Sequence, residues 1–287
     1  MFYESHRYKK IILLVLAAIV AIVWYGVFIY EKKRDPQIIF FDVGQGDAVF
    51  IELPNGNQML VDGGPGDSVF AKLGREMPPW DRSIDVLVLT HPHADHLSGL
   101  IEVINRYHIG MIVDAGAEYA SSEASEWRRT IEKNNIPVVP LLAGDRVVLG
   151  GEAFFDVFVP FKNLSGSSPS NIHDASVAGR FSIKGASVLL MGDAEEKIEY
   201  RLVFFGYPLD ADILKAGHHG SRTSTSEAFL RSVSPRAVVI SSGRGNRYGH
   251  PHQEVIDRIH SYGATILRTD ELGDIRMKFT GQEFAAE

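Results

Sequence analysis

Residues 86–99 read VLVLTHPHADHLSG, and this stretch places three histidines and one aspartate within six positions, directly after an apolar run. The chain has only 11 histidines among its 287 residues. The apolar run predicts a buried strand, and the polar residues fall on the turn that follows it. Imidazole and carboxylate groups bind zinc, manganese and iron, so His91, His93, Asp95 and His96 indicate a metal site.

The spacing allows one short loop to serve two ions. His91 and His93 can face one ion, while Asp95 and His96, on the turn entering the next helix, face a second. The alternative is a solvated loop in which Asp95 only caps the helix. Four such residues crowded behind a strand favour the metal site.

Other polar residues follow other predicted strands. Asp193 follows SVLLMG, His218 and His219 follow ADILKAG, and His250 lies in the loop after AVVI. Ligands collect at this edge of open α/β sheets. Asp193 can bridge two ions or cap a helix, and one histidine of the adjacent pair can bind metal while the other faces the substrate.

Two further segments offer candidate groups. His173 and Asp174 lie in a polar loop from which another metal ligand can enter, although an ordinary loop is the alternative. Ser221, Arg222 and Thr223 can contact the non-bridging oxygens of a phosphodiester. His250 can contact phosphate or protonate a leaving alkoxide, or it is only a turn residue.

The amino-terminal region differs from the rest of the chain. Residues 11–30 carry no charge and are long enough to cross a bilayer as a helix, with Trp24, Tyr25 and Tyr30 near an interface. The run continues into EKKR without the small residues of a cleavage site, which favours an uncleaved anchor over a signal peptide or a buried core helix. Basic residues flank both ends, so the charge rule does not orient the anchor.

Composition limits the function classes. The net charge of −7 excludes a global basic field that would gather nucleic acid, so an anionic substrate must be attracted locally, for example by Arg244 and Arg247. The absence of cysteine excludes thiol nucleophiles and is compatible with an oxidising compartment. A single anchor followed by a large domain most simply leaves that domain outside the cytoplasm.

The remaining sequence predicts an α/β fold. QIIFFDV, DAVFIEL and QMLVD read as an opening antiparallel meander. From Ile84 onward, apolar strand patterns alternate with helical patterns, which predicts mixed sheets covered by helices. The organisation expected is an anchor over residues 1–35, with a span at about 11–30, and one catalytic domain over residues 37–287.

Several phrases carry a family resemblance. THPHADH, MGD and GHHGS, in this order, resemble the metallo-β-lactamase superfamily. FFDVGQGDAVFIELPNG, LVDGG, LKAGHHGSRTSTSEAFL, NRYGHPHQEV and RTDELGDI resemble the hydrolase domain of ComEC-type competence DNA-uptake proteins and their free-standing relatives. The resemblance covers residues 37–280 and implies a four-layer αβ/βα sandwich with a dinuclear metal centre at one sheet edge.

The resemblance also implies roles for individual residues. His91 and His93 would hold the first ion, Asp95 and His96 the second, Asp193 would bridge the two, and His219 in preference to His218 would complete the second site. His173-Asp174-Ala175-Ser176 stands where ComEC relatives carry Asn-Asp-x-Ser, so His173 would enlarge the ligand set. Many of those relatives have aspartate at the position of His93, which sets this chain apart from them. Asp62 would orient the ligand loop through a hydrogen bond, or be a plain turn residue.

The expected function is hydrolysis by water activated between two divalent ions, zinc or manganese. Asp95, His218 and His250 are the catalytic candidates. The expected substrate is a phosphodiester, with single-stranded DNA as one candidate, and the membrane is the expected partner. The alternatives are an acyl, lactone or β-lactam hydrolase with the same centre, and a catalytically silent domain that keeps metal for stability.

Overall fold

A computed structural model describes residues 2–32 and 35–287 of the chain. The first element is the long helix α1 (Phe2–Lys32). Its segment Arg7–Phe28 has a mean hydropathy of 2.9 and no side chain buried against the rest of the chain, so it is long and apolar enough to span a membrane. Lys33 and Arg34, which enter the flanking charge balance, lie outside the described residues, as do the side chains of Tyr30 and Lys32.

Residues 35–287 form strands and short helices that alternate along the chain. The strands are β1 (Gln37–Phe40), β2 (Val49–Glu52), β3 (Gln58–Val61), β4 (Ser83–Val88), β5 (His108–Asp114), β6 (Val138–Pro140), β7 (Arg146–Gly150), β8 (Ala153–Val159), β9 (Ala178–Ile183), β10 (Ala186–Leu190), β11 (Ile213–Lys215), β12 (Ala237–Ile240), β13 (Thr265–Arg268), β14 (Ile275–Phe279) and β15 (Phe284–Ala286). The helices are α2 (Ser68–Glu76), α3 (Ala94–Arg106), α4 (Ser122–Asn134), α5 (Glu196–Phe204), α6 (Glu227–Val233), α7 (Gln253–Tyr262) and α8 (Thr269–Leu272).

The strands form two sheets. The first has the order β15-β14-β1-β2-β3-β4-β5-β6, and the second has the order β13-β12-β11-β10-β9-β8-β7. The predicted antiparallel meander is β1, β2 and β3, after which β3 to β6 run parallel. In the second sheet β10 to β13 run parallel. The carboxyl ends of the parallel strands therefore meet at one edge of each sheet.

Three apolar clusters hold these layers together. One lies between the two sheets and includes Phe40, Phe155 and Phe181. A second packs α2, α3 and α4 on the outer face of the first sheet, and a third packs α5, α6 and α7 on the outer face of the second. The predicted four-layer αβ/βα sandwich is confirmed. Helix α2 was not among the predicted elements, because it buries only Val69 and Leu73, too few for a helical period.

Candidate metal centre

The histidines and carboxylates singled out in the sequence converge where the two sheets present their strand ends. His91 and His93 lie between β4 and α3, and Asp95 and His96 lie in the first turn of α3. Asp193 follows β10. The remaining two histidines lie in 3-10 turns, His173 before β9 and His219 after β11.

These side chains form two groups. The first contains His91, His93, His173 and Asp193, and the second contains Asp95, His96 and His219; within each group one possible ligand atom per residue lies within 4.8 Å of the others. Two further groupings by the same measure are His173 with Glu195 and His218, and Asp47 with His96 and Asp193.

Asp193 lies between the two main groups. Its Oδ2 lies 3.6 Å from His91 Nε2, on the side of the first group. Its Oδ1 lies 3.4 Å from His96 Nε2 and 3.5 Å from His219 Nε2, on the side of the second. Asp95 Oδ2 lies 3.5 Å from His219 Nε2. One carboxylate thus faces both groups, which is the arrangement a bridging ligand requires.

Buried atoms without hydrogen-bond partners show that the residues fit divalent cations. His91 Nε2, His96 Nε2, His219 Nε2 and Asp193 Oδ1 are all buried and have no hydrogen-bond partner. A buried polar atom without a partner is costly, and each of the three imidazole nitrogens lies within 3.6 Å of a carboxylate oxygen of Asp193. Nitrogen and carboxylate oxygen donors of this kind suit zinc, manganese or iron.

The opposite ring nitrogens of the same imidazoles are held by the protein. His96 Nδ1 lies 2.8 Å from Asp62 Oδ2, and His219 Nδ1 lies 3.1 Å from the carbonyl oxygen of Ser241. His91 Nδ1 lies 3.1 Å from the hydroxyl of Thr90. Partners at Nδ1 fix the orientation of each ring and leave Nε2 for a ligand, as around metal sites in general.

The electrostatics differ between the two groups. Burial lowers the pKa of His91 well below its usual value, and burial together with the neighbouring His173 lowers the pKa of His93 to about 4. Burial opposes the charged form of His219, but Asp193 and Asp47 raise its pKa to about 9. His91 and His93 are therefore neutral near pH 7, while in the metal-free chain His219 carries a proton that a cation would displace.

The adjacent histidines His218 and His219 point in different directions because the turn that carries them is unusual. Both have left-handed backbone conformations, with φ of 46° and 55°, which is uncommon for residues other than glycine and typical of functional sites. His219 is buried in the second group. The His218 side chain is 21% exposed, with its Nδ1 3.4 Å from Glu195 Oε1, so it borders the cluster on the solvent side.

The loop before β9 carries two candidate metal ligands, His173 and Asp174, and only His173 lies in a metal group. His173 lies in the first group, with its ring centroid 5.0 Å from that of His93 and 4.3 Å from that of His218. Asp174 belongs to neither group, because its carboxylate accepts a hydrogen bond from Lys197 on α5. The structure therefore removes Asp174 from the candidate ligand set.

The candidate substrate-binding residues Ser221, Arg222 and Thr223, together with His250, lie beside His218 on the solvent side of the metal groups, and we call this surface the rim. The Ser221 hydroxyl lies 3.1 Å from that of Thr223, which donates to Glu195 Oε1 at 2.7 Å. Arg222 is exposed. The His250 ring lies 5.5 Å from that of His218, and burial together with His219 and His218 lowers its pKa to about 4. With this pKa His250 is neutral near pH 7, and in that form its ring can donate or accept a hydrogen bond.

Three residues of this region were not predicted as site residues. Glu195 accepts hydrogen bonds from Asn171 and Thr223, lies within 4 Å of the half-buried His173 and His218, and stands only two positions beyond Asp193. Asp47 and Lys215 form a buried ion pair beside His219. Asp47 lies in the phrase GQGD and Lys215 in the phrase LKAGHH, but neither local pattern predicts that these two residues form an ion pair.

A cavity of about 390 Å³ lies beside the first group. Its wall includes Thr90, His91 and Pro92 on one side and Trp127 of α4 on the other. Asp114 also lines it, and burial raises the pKa of that carboxyl. The lining of the cavity is largely apolar, and its wall adjoins the strand end that carries His91.

Comparison with known proteins agrees with this geometry. The profile of the Metallo-beta-lactamase superfamily matches residues 41–244. The chain is 27% identical over 286 residues to ComE operon protein 3 of Bacillus subtilis (strain 168), covering 93% of this chain and 36% of that protein. It is 32% identical over 251 residues to Competence protein ComA of Neisseria gonorrhoeae, covering 85% of this chain and 32% of that protein.

The chain thus spans about a third of the length of these curated relatives. Among solved structures, CmlA, a diiron beta-hydroxylase from Streptomyces venezuelae, matches with a TM-score of 0.56 and 14% identity, over 86% of this chain and 54% of that one. That likeness concerns the fold. The chain belongs to the metallo-beta-lactamase superfamily, whose fold is that of metal-dependent hydrolases, and within it is similar to competence proteins of the ComEC type.

Proposed function

We propose that this protein is a metal-dependent phosphodiesterase that holds two divalent cations and cleaves phosphodiesters, with single-stranded DNA as its substrate class. The observation that supports it most strongly is the placement of Asp193 between two groups of unpartnered, buried ligand atoms. Zinc and manganese are the candidate ions. Bound divalent cations supply Lewis acidity, which lowers the pKa of water and neutralises charge on an attacked phosphoryl group.

In this proposal the protein residues bind and orient. His91, His93 and His173 hold the first ion, Asp95, His96 and His219 hold the second, and Asp193 faces both. His218, kept in place by Glu195 at 3.4 Å, is directed at the substrate from the solvent side. No serine or cysteine nucleophile is required.

The rim supports an anionic substrate. Arg222 and Arg247 are exposed there, and the Arg247 guanidinium donates a hydrogen bond to the hydroxyl of Tyr248 at 2.7 Å, two positions before His250. Ser221, Thr223 and His250 add neutral hydrogen-bonding groups, which can contact non-bridging phosphate oxygens. This local arrangement offsets a net charge of −7 that would otherwise repel a polyanion.

The names of the relatives support a nucleic-acid substrate. The curated matches include a competence protein, a ComE operon protein and "Recombination protein 2" of Haemophilus influenzae. Each is much longer than this chain, so their complete activities do not transfer directly. The matched portion covers 93% and 85% of this chain in the first two relatives, and we assign it the hydrolytic step.

The test is hydrolysis by the full chain purified in detergent, stripped of metal and reloaded with Mn²⁺ or Zn²⁺. We expect cleavage of bis-p-nitrophenyl phosphate and of single-stranded DNA, and none of nitrocefin. His91→Ala and Asp193→Asn should abolish cleavage. His260→Ala and Asp174→Asn are the matched controls and should retain it, since His260 is exposed on α7 and Asp174 is bonded to Lys197.

Two outcomes would redirect the proposal. Turnover of nitrocefin without phosphodiester cleavage would make the protein an acyl hydrolase with the same centre. Tight metal binding without turnover of any ester would make it a catalytically silent domain that keeps metal for stability.

We further infer that α1 anchors the protein in a membrane with the sandwich on the extracytoplasmic side. The support is the apolar, unburied segment Arg7–Phe28 followed by one large domain. Because the chain has no cysteine, one introduced cysteine reports topology cleanly. Ala286→Cys should react with a membrane-impermeant maleimide in intact cells; protection of that cysteine until the cells are lysed would place the domain in the cytoplasm.

A further inference from the structure

A buried ion pair between Asp47 and Lys215 lies behind the second metal group, and Asp47 also has a carboxylate oxygen within 4.8 Å of ligand atoms of His96 and Asp193. Lys215 is 1% exposed and Asp47 is 3% exposed, and Lys215 Nζ donates a hydrogen bond to Asp47 Oδ2. The other oxygen, Asp47 Oδ1, is buried without a hydrogen bond of its own and lies 3.3 Å from His219 Nδ1. The same Nδ1 lies 3.1 Å from its hydrogen-bond partner, the carbonyl oxygen of Ser241, so the Asp47 carboxylate acts on this ring through its charge at close range.

The pair joins the two sheets. Asp47 lies in the loop between β1 and β2 of the first sheet, and Lys215 is the last residue of β11 in the second. The loop packs closely against the start of α3. A Cβ atom at Gly46 would lie only 2.1 Å from the carbonyl oxygen of Asp95, so this position has room only for glycine. The backbone N–H of Asp47 donates to that same oxygen at 3.4 Å. Asp47 is therefore fixed relative to both Asp95 and His219.

Stability alone does not explain such a pair. Transferring a charged group from water to the protein interior costs several kcal/mol per ion, and the attraction between the two buried charges offsets about that much. A buried ion pair is therefore weak evidence for a net gain in stability. Lys215 is too buried to reach a substrate. The group it can influence is its partner carboxylate, and through it the imidazole that Asp47 faces.

We propose that Lys215 and Asp47 are positioning residues for His219: Lys215 fixes the Asp47 carboxylate, and Asp47 orients the His219 ring with Nε2 toward the second cation. The inference rests on the proposed function, since it requires an ion in the second group. In this arrangement each histidine of the second group has a carboxylate next to its Nδ1, Asp47 for His219 and Asp62 for His96. Such carboxylate partners of ligand histidines typically change metal affinity 10- to 100-fold when lost.

The experiment titrates the metal-free full chain with Mn²⁺ by calorimetry, comparing wild type with Asp47→Asn and with the double variant K215M/D47N. Lys215→Met alone would leave a buried carboxylate without its partner and risk failure to fold. The double variant leaves no charge unpaired and is therefore the informative protein. We expect wild type to bind two ions, and both variants to bind one with unchanged affinity and the other about 10- to 100-fold more weakly.

A second readout separates positioning from a structural role. The visible spectrum of the Co²⁺-loaded chain reports the ligand geometry, and denaturant unfolding reports stability. Positioning predicts that the double variant has near wild-type stability yet weak binding and an altered spectrum of the second ion. A structural role alone predicts that restored stability restores affinity and spectrum, and that result would overturn the inference.

Two controls complete the design. Arg276→Met removes a partly buried ion pair with Glu76, neither of which belongs to a metal group, and should change stability without changing Mn²⁺ affinity. If wild type itself binds no Mn²⁺, both the proposed function and this inference fail. If wild type and K215M/D47N bind two ions equally well, only this inference fails.

Discussion

His96 Nδ1 lies 2.8 Å from Asp62 Oδ2, and both side chains are completely buried. The same carboxylate accepts hydrogen bonds from the backbone N–H of Thr90 at 2.8 Å and from its hydroxyl at 2.7 Å. Asp62 follows β3, whereas Thr90 and His96 flank the ligand loop, so one side chain ties that loop to the sheet. Burial opposes the charged form of His96, but Asp193 and Asp62 raise the pKa of this imidazole well above its usual value, so a cation at Nε2 displaces a proton there while Asp62 holds the other at Nδ1.

Asp62→Asn should therefore weaken metal binding while the fold is kept. The asparagine amide can donate to His96 Nδ1, which moves the ring proton to Nε2 and directs an N–H at the second group. We expect Mn²⁺ affinity to fall about 10- to 100-fold, measured by calorimetry, with an unchanged far-ultraviolet circular dichroism spectrum. Wild-type affinity in this variant would mean that the tautomer of His96 is set elsewhere.

The two adjacent histidines should separate binding from turnover. His219→Ala removes a member of the second group and should reduce the metal content from two ions to one. His218→Ala should keep both ions but lower kcat by about 10²- to 10⁴-fold, the usual range for a residue that assists proton transfer. Elemental analysis and steady-state kinetics on the two variants test this. If the metal content falls in His218→Ala and stays whole in His219→Ala, the roles are reversed.

Gly217→Ala should damage the turn that carries this pair. A Cβ at Gly217 would lie 2.4 Å from the carbonyl oxygen of Ala194, a backbone atom that cannot move aside. We expect a loss of about 1 to 3 kcal/mol in the free energy of unfolding, as for other overpacked sites, together with lower activity. Gly74→Ala, in α2 with open space around it, is the control and should stabilise by roughly 0.5 to 1 kcal/mol.

Glu199 should make stability depend on pH. It is buried on α5 and accepts the backbone N–H groups of Thr225 at 2.5 Å and Ser226 at 2.8 Å. Burial raises its pKa from 4.5 to about 7 despite these hydrogen bonds. Between these two values the unfolded chain loses the proton while the folded chain keeps it, so the free energy of unfolding falls as pH rises.

The contribution amounts to about 3 kcal/mol at most between pH 4.5 and 7. Urea unfolding in the presence of a chelator, with wild type and Glu199→Gln compared at each pH, isolates it. The difference between the two free energies should decline across this window and level off above pH 7. A difference that stays constant would show that Glu199 is ionised throughout.

The sequence predicts much of the fold and of the metal groups because that information is local. Most candidate ligands follow a strongly apolar strand, and parallel strands bring such ends together, whereas His173 lies in a polar loop before β9. Other features depend on contacts that no local pattern contains. Lys215 donates a hydrogen bond to Asp47, which lies 168 positions earlier in the chain. Asp174 accepts a hydrogen bond from Lys197 of α5. His218 and His219 point in different directions because both have left-handed backbone conformations, and two adjacent histidines in a sequence do not predict that conformation.

The most direct test of the central claim is to locate the ions. Elemental analysis of chain supplied with Mn²⁺ or Zn²⁺, together with anomalous scattering from its crystals, counts the ions and places them. Two ions per chain, one among His91, His93 and His173 and one among Asp95, His96 and His219, with Asp193 between them, is the predicted result. Metal-free protein after full supplementation, or ions bound away from these side chains, would contradict the account.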